Sequence, residues 1–242
     1  MAESSEVGGS ALRRGRWRWV AWPVGVVGVL AALGSYGWFR WFPDHRPELR
    51  SGERYGIDVS NHQGDVDWGR GAGDDIEFAY VKATEGGDHV DDRFHANWMG
   101  ADAAGLDRGA YHFFTLCRPG ADQAANFLKA VPEDPDALPP AVDLELAGNC
   151  ADRPSRSRVE REVRAFIDAV EAKTGRPVVL YLGDDFEGRY HLRDDLDRPD
   201  WRRRILLRPR GDRWWIWQVS GEARVDGIDG PTDLDVMRGT AP

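Results

Sequence analysis

Asp143 and Glu145 lie one residue apart inside the apolar run Leu138-Pro139-Pro140-Ala141-Val142-Asp143-Leu144-Glu145-Leu146. The run is short and rich in branched residues, so it predicts a buried strand rather than a helix. Strand side chains alternate, placing Val142, Leu144 and Leu146 on one face and both acids on the other. Burying an unpaired charge costs several kcal/mol or raises its pKa until it is neutral. The plain alternative is a half-exposed strand with two surface acids. The chemical reading is cleavage of a glycosidic bond, in which one acid keeps a proton near neutral pH and gives it to the leaving oxygen. Burial would raise Glu145, and an ionised Asp143 on the same face would raise it further. Tyr80, Tyr111, Tyr181 and Trp217 offer flat surfaces for sugar rings, although each also suits a core.

The elements that would position these acids recur along the chain. Strand-like runs begin at Tyr55–Ser60, Phe78–Thr84, Arg108–Phe114, the Asp143/Glu145 run and Pro177–Leu182. Weaker ones follow at Arg204–Leu207, Trp214–Val219 and Asp233–Met237. Helical patterns fall between several: Asp91–Leu106, Ala121–Val131 and Ser157–Lys173. In the last, Ser157 and Glu160 form a capping box, and Val159, Val163, Phe166, Ile167 and Val170 trace one stripe up to Gly175. Strand–helix–strand repetition implies a mainly parallel sheet, and eight strands imply a (β/α)8-like barrel of the TIM type. Residues 54–242 are short for that fold, and the last three strands lack helix-length connections. The expectation is an α/β barrel with some helices missing and an antiparallel ending. Chemistry collects at the C-terminal ends of such strands. Asp58, Glu85, Asp143 and Glu145 all fall at that height.

Of the two cysteines, Cys117 follows the third strand by three residues and Cys150 follows Glu145 by five. Both leave the same rim from neighbouring strands, so a disulfide is expected in an oxidising compartment. No Cys/His motif supports a catalytic cysteine. The histidines do not fall at metal-ligand spacings, and His112 sits among aromatics, where packing is the expected role. There is no phosphate loop, dinucleotide fingerprint or serine elbow. No metal or other cofactor is expected.

Charge is uneven along the 242 residues. Residues 1–50 carry seven arginines against four acids, leaving −12 of the total −9 on the remainder. So acidic a body argues against a nucleic-acid partner. Trp19–Phe39 is an uncharged, mostly apolar run of bilayer length. Arg13, Arg14, Arg16 and Arg18 precede it, which places residues 1–18 in the cytoplasm and the domain outside. The expectation is a single-pass membrane anchor at 19–39 with a linker at 40–53. The competing reading is a cleavable signal peptide and a secreted or periplasmic product.

The chain also resembles a known family. Tyr55-Gly-Ile-Asp58-Val-Ser60-Asn-His-Gln63-Gly64, with Val66-Asp67-Trp68, is similar to the opening signature of glycoside hydrolase family 25, the lysozyme-type N-acetylmuramidases. Phe78-Ala-Tyr80-Val-Lys82-Ala-Thr84-Glu85-Gly86 and Gly109-Ala-Tyr111-His112-Phe-Phe resemble their second and third motifs. Val142-Asp143-Leu-Glu145 resembles their catalytic D-x-E, and Trp217-Gln218 with Asp233-Leu-Asp235-Val-Met237 their closing motif. The resemblance implies hydrolysis of the β-1,4 bond between N-acetylmuramic acid and N-acetylglucosamine in peptidoglycan glycan strands. It implies Glu145 as general acid and Asp143 assisting the substrate's 2-acetamido group, a recognised variant of two-carboxylate catalysis. Asp58 and Asp233 would complete the acidic cluster, with Lys82, Glu85 and Gln218 binding substrate beside the aromatics. Asp235 stands where an Asn is frequent and Met237 where an aromatic is usual; both are expected to reshape the cleft floor. A non-catalytic peptidoglycan-binding module and a chitinase-like hydrolase on the same barrel are the rival readings.

Overall fold

The computed structural model describes residue 28 and residues 32–239. Two units divide between Phe42 and Pro43. In the first, residues 32–41 are helical, and the Trp38 ring stacks on Phe42 at 5.3 Å. Most of the expected membrane-crossing run lies outside the described residues. Among the described residues, no helix is long and apolar enough to cross a membrane.

The second unit is a barrel. Its strands are β1 (Glu53–Val59), β2 (Ile76–Glu85), β3 (His89–Val90), β4 (Asp107–Phe113), β5 (Ala141–Leu144), β6 (Val179–Leu182), β7 (Asp200–Arg203), β8 (Trp214–Ala223) and β9 (Thr232–Arg238). Strand β1 pairs with both β2 and β9, which closes the ring, while β3 is a short antiparallel extension of β2. Pairing is parallel from β1 through β8. Strand β9 runs antiparallel to both its neighbours. This is the expected barrel with an antiparallel ending. Helices Phe94–Ala103, Gly120–Ala130 and Arg156–Thr174 cover its first half, and only short helices, Asp184–Tyr190 and Arg193–Leu196, cover the β6–β7 crossover.

Alternation along the strands builds two apolar layers. Ile57, Val59, Val142 and Leu144 belong to the outer layer, together with Val159, Val163, Phe166, Ile167 and Val170, the buried stripe of helix Arg156–Thr174. Phe78, Tyr80, Ala141, Val179, Trp201, Ile216 and Met237 fill the barrel interior. The interior alternates large and small residues across paired strands. A Cβ on Gly56 would lie 2.3 Å from the Phe78 ring, and one on Gly109 2.4 Å from the Tyr80 ring. Those two glycines leave room for the aromatic rings of β2, and no larger residue fits there.

Three expectations about elements need correction. The seventh strand is Asp200–Arg203, and Arg204–Leu207 is a bend in which Leu206 has φ 58°. Its apolar trio misleads: Ile205 and Leu207 are exposed, whereas Trp201 turns into the barrel. The long helix is capped by Ser155, not Ser157, its side chain accepting from the Arg158 amide. The stretch from Pro43 to Glu53 lies on the barrel instead of hanging free. Arg46 pairs with Asp74 at 2.6 Å, the Arg224 amide donates to the Pro43 carbonyl, and Leu49 packs on the core.

Candidate active site

The C-terminal ends of the parallel strands open into a cleft of about 580 Å³. Asp58 comes from the end of β1, Lys82 and Glu85 from β2, and Tyr111 from β4. Asp143 is on β5, Glu145 is one residue past it, and Tyr181 lies on β6. The antiparallel sense of β9 brings Asp233, near its start, to the same mouth, paired in register with Asp58. Gln218 of β8 completes the expected group. Acids from distant parts of the chain therefore share one opening.

Several contacts fix the position of Glu145. Asn149 donates to the Glu145 carbonyl at 3.0 Å and to the Phe114 carbonyl at 2.7 Å, while its own oxygen accepts from the Leu116 and Cys150 amides. Asp185 accepts from the Leu146 amide at 3.1 Å. A Cβ on Gly183 would come within 3.0 Å of the Glu145 Cβ, so the β6 end must be bare for the acid to sit there. Cys117 and Cys150 are joined as expected, closing the loop that carries Glu145. On a chain-entropy estimate the bond contributes about 3–4 kcal/mol.

The electrostatics of the mouth follow from crowded acids in a poorly solvated place. Burial first, then Glu145, pushes Asp143 well above the usual carboxylate range, and its Oδ1 has no hydrogen-bond partner. Burial also raises Glu145, and the neighbouring acid that adds most is Asp185, not Asp143 as the spacing suggested. Asp233 is raised to about 6 by burial, with Arg203 opposing and Glu222 adding to the rise. Asp58 is raised by burial and then by Asp233 and Asp235.

Asp235 is fully buried, and its Oδ1 accepts from the Trp201 indole at 2.9 Å. No amide or hydroxyl reaches its Oδ2. Asp58 lies close enough to act on it, and burial with the neighbouring acid charges holds both carboxyls well above the usual carboxylate range. Gln218 ties this pair to the mouth, donating to Asp58 at 3.3 Å and accepting from the Tyr181 hydroxyl at 3.1 Å.

Not every expected site residue is in the cleft. Tyr80 is wholly buried in the barrel, where its hydroxyl donates to the Pro139 carbonyl at 2.8 Å and its ring packs on Trp201. Trp217 faces the outer layer, its indole donating to the Arg204 carbonyl at 2.7 Å. Met237 pairs with Arg54 at the opposite end of β1 from Asp58, too deep to shape the cleft floor. His112 is a packing residue: Thr84 and Gln123 hold its two nitrogens and Phe166 stacks on it. Burial lowers its pKa to about 4.

Conversely, Trp201, Arg203, His62 and Phe113 line the cleft and were not singled out from the sequence. Trp201 and Arg203 were hidden by the misplaced seventh strand. Period-two alternation from Trp201 would have found Arg203. Among the described residues there is no cluster of His, Cys, Asp and Glu suited to a metal ion.

Comparison with known proteins agrees with this geometry. The chain is similar to lysozyme M1 of Streptomyces globisporus, 33% identical over 82% of this chain and 73% of the relative. It is similar to the uncharacterised protein YegX of Escherichia coli K12, 36% identical over 77% of this chain and 70% of the relative. Among solved structures, a family 25 glycosyl hydrolase from Bacillus anthracis superposes with a TM-score of 0.74 at 31% identity, covering 81% of this chain and 94% of that one. A bacterial lysozyme from Streptomyces coelicolor does so with a TM-score of 0.70 at 30% identity, covering 78% and 93%. Residues 57–228 match the family model described as glycosyl hydrolases family 25, and the chain is a member of that family of glycoside hydrolases.

Proposed function

We propose that this glycoside hydrolase cleaves the β-1,4 bond between N-acetylmuramic acid and N-acetylglucosamine in peptidoglycan. The observation that carries the reading is Glu145, half-buried at the barrel mouth with its carboxyl raised by burial and by Asp185. Such a group holds a proton for the leaving oxygen. Asp143 would orient the substrate's 2-acetamido group for attack on the anomeric carbon. Its orphaned Oδ1 gives that role a physical basis. Asp143 Oδ1 lacks a donor within the protein and burial favours its protonated form; the acetamido N–H would supply a donor, favour the carboxylate and leave the proton on Glu145. Asp58, tied to Asp235, and Asp233 would hold the sugar beside Tyr111 and Tyr181.

The test is release of reducing ends from purified peptidoglycan. Glu145→Gln is expected to lose at least about a hundredfold in kcat, the lower end of what general acid catalysis supplies. Mass spectrometry of the products should show reducing muramic acid ends. Reducing N-acetylglucosamine ends would point to a chitinase-like specificity, and equal activity in the variant would remove Glu145 from its role.

We also propose that residues 19–39 anchor the enzyme in a membrane, with the barrel outside. The uninterrupted apolar run and the arginines before it support this. Exposed Trp38, Phe39 and Trp41 suit a membrane–water boundary. Fractionation of expressing cells should find the full-length chain with membranes; a soluble product beginning near Ser35 would replace the anchor with a cleaved leader.

A further inference from the structure

We propose that Arg203 receives a carboxylate carried by the muramoyl unit of the substrate and so sets the enzyme's preference for anionic glycan. The inference rests on the muramidase reading above and names a substrate group for the same cleft.

The cleft is lined by Asp58, Glu85, Asp143, Glu145 and Asp233. A muramic acid residue carries a lactyl group ending in a carboxyl, either free or joined to a stem peptide that bears carboxylates of its own. An anionic ligand entering so acidic an opening is repelled unless a cation meets it. The lining holds two permanent cations, Lys82 and Arg203. Lys82 is already engaged: its ammonium lies 2.7 Å from Glu85 and over the Phe113 ring at 4.9 Å.

Arg203 differs. It is the last residue of β7, exposed, and turned to the same side of its strand as Trp201, which also lines the cleft. Glu145 and Asp233 feel its charge, yet no carboxylate oxygen among the described residues lies within 4.0 Å of its guanidinium. Its neighbour Arg202 shows the contrast, being bound to Asp200 at 2.8 Å. The space beside Arg203 is also kept open. A Cβ on Gly221 would press on Asp233 Oδ1 at 3.1 Å and touch an Arg203 terminal nitrogen at 3.9 Å, so a larger side chain there would crowd the space beside both. A planar guanidinium with free donors, at the rim of an acidic cleft, matches a carboxylate in geometry as well as charge.

The experiment uses the full chain carrying Glu145→Gln, so that ligands bind without being cut, with and without Arg203→Gln. Calorimetry compares three forms of the tetrasaccharide of alternating N-acetylglucosamine and N-acetylmuramic acid. These carry free lactyl carboxylates, neutral lactyl methyl amides, or lactyl groups joined to L-alanyl-D-glutamate. With Arg203 present, at least one anionic form is expected to bind about tenfold more tightly than the methyl amide. With Arg203→Gln that preference should fall below twofold while methyl amide binding is retained. A preference confined to the free lactyl form assigns the lactyl carboxylate; one confined to the peptide form assigns the stem. A preference that survives Arg203→Gln, or equal weakening of all three ligands, overturns the proposal while leaving the muramidase reading intact. Failure of every form to bind with Arg203 in place overturns both.

Discussion

Asp143 and Asp200 are carboxylates on β5 and β7, the two strands that flank β6 in the sheet, and their surroundings are opposite. Asp200 opens β7, has a side chain 2% exposed, and is bracketed by Arg193 at 2.7 Å and Arg202 at 2.8 Å. Asp143 is on β5 with an oxygen that has no partner, and burial and Glu145 raise its pKa. The protein can evidently satisfy a buried acid with arginines. At the mouth it does not, and several more acids gather there. A buried acid without a partner costs stability, and an arrangement that retains several is organised for a ligand that brings the missing donors.

Removing each charge in turn should affect the two positions in opposite ways. Asp143→Asn is expected to lower kcat by about a hundredfold or more, in the range seen when a group stabilising the transition state is lost. Its thermal midpoint at pH 7 should stay level or rise. Asp200→Asn should do the reverse, losing about 2–4 kcal/mol because Arg193 is left buried without its counterion. Activity per folded molecule should persist. Calorimetric melting and reducing-end assays on both variants decide the matter. A strongly destabilised Asp143→Asn would show that the mouth is structural after all.

Asp235→Asn tests the same idea more gently. The folded-state pKa of Asp235 is raised above its ordinary 3.8. Its stabilising contribution is therefore complete below that value and is lost as pH rises. An Asn can still accept from Trp201 and can itself donate to Asp58, with no charge to bury. The variant is expected to be more stable at pH 8 by about 1–2 kcal/mol, a few degrees in midpoint, with the gap closing toward pH 4. A variant less stable than the parent at pH 8 would show that burying the Asp235 charge carries no such penalty.

The same logic bears on rates. If substrate supplies the donor that Asp143 lacks, Asp143 ionises more readily in the complex than in the free enzyme. The acid limb of the pH profile should then lie about one unit lower for kcat than for kcat/KM, since the two report complex and free enzyme respectively. Coincident limbs would separate Asp143 from the acetamido group.

How much of this was legible in the sequence depends on the kind of force at each residue. The helix stripe from Val159 to Val170 was readable because burial there is a matter of periodicity, and the Cys117–Cys150 pairing because both leave one rim. The convergence of Asp58, Asp143 and Glu145 followed from strand ends in a barrel. Asp233 came from the motif resemblance, and the antiparallel sense of β9 explains why an acid near a strand's start reaches the mouth. Tyr80 and Trp217 were misjudged because an aromatic on a strand looks the same whether it faces ligand, barrel interior or helices. Here Gly109, across the strand pair from Tyr80, was the available clue. Arg203 and Asp185 were missed for another reason. One lies on a strand that is charged rather than apolar, and the other acts on Glu145 through space from a separate crossover.

Two tyrosines that both pack on Trp201, Tyr80 inside the barrel and Tyr181 at its mouth, extend the contrast to neutral groups. Tyr80 spends its hydroxyl on the Pro139 carbonyl inside the barrel, and Tyr181 spends its own on Gln218, which in turn donates to Asp58. Tyr80→Phe removes one neutral hydrogen bond and leaves a buried carbonyl without its partner. The expected loss is about 1 kcal/mol of stability, with kcat and KM unchanged. Tyr181→Phe, at a half-buried position with water at hand, should cost less than that in stability. It frees Gln218 to turn, however, and loosens the hold on Asp58, so KM for soluble peptidoglycan fragments should rise about two- to fivefold. If both variants changed KM alike, the barrel interior and its mouth would be one mechanical unit, and the division drawn between Asp200 and Asp143 would not extend to their neutral neighbours.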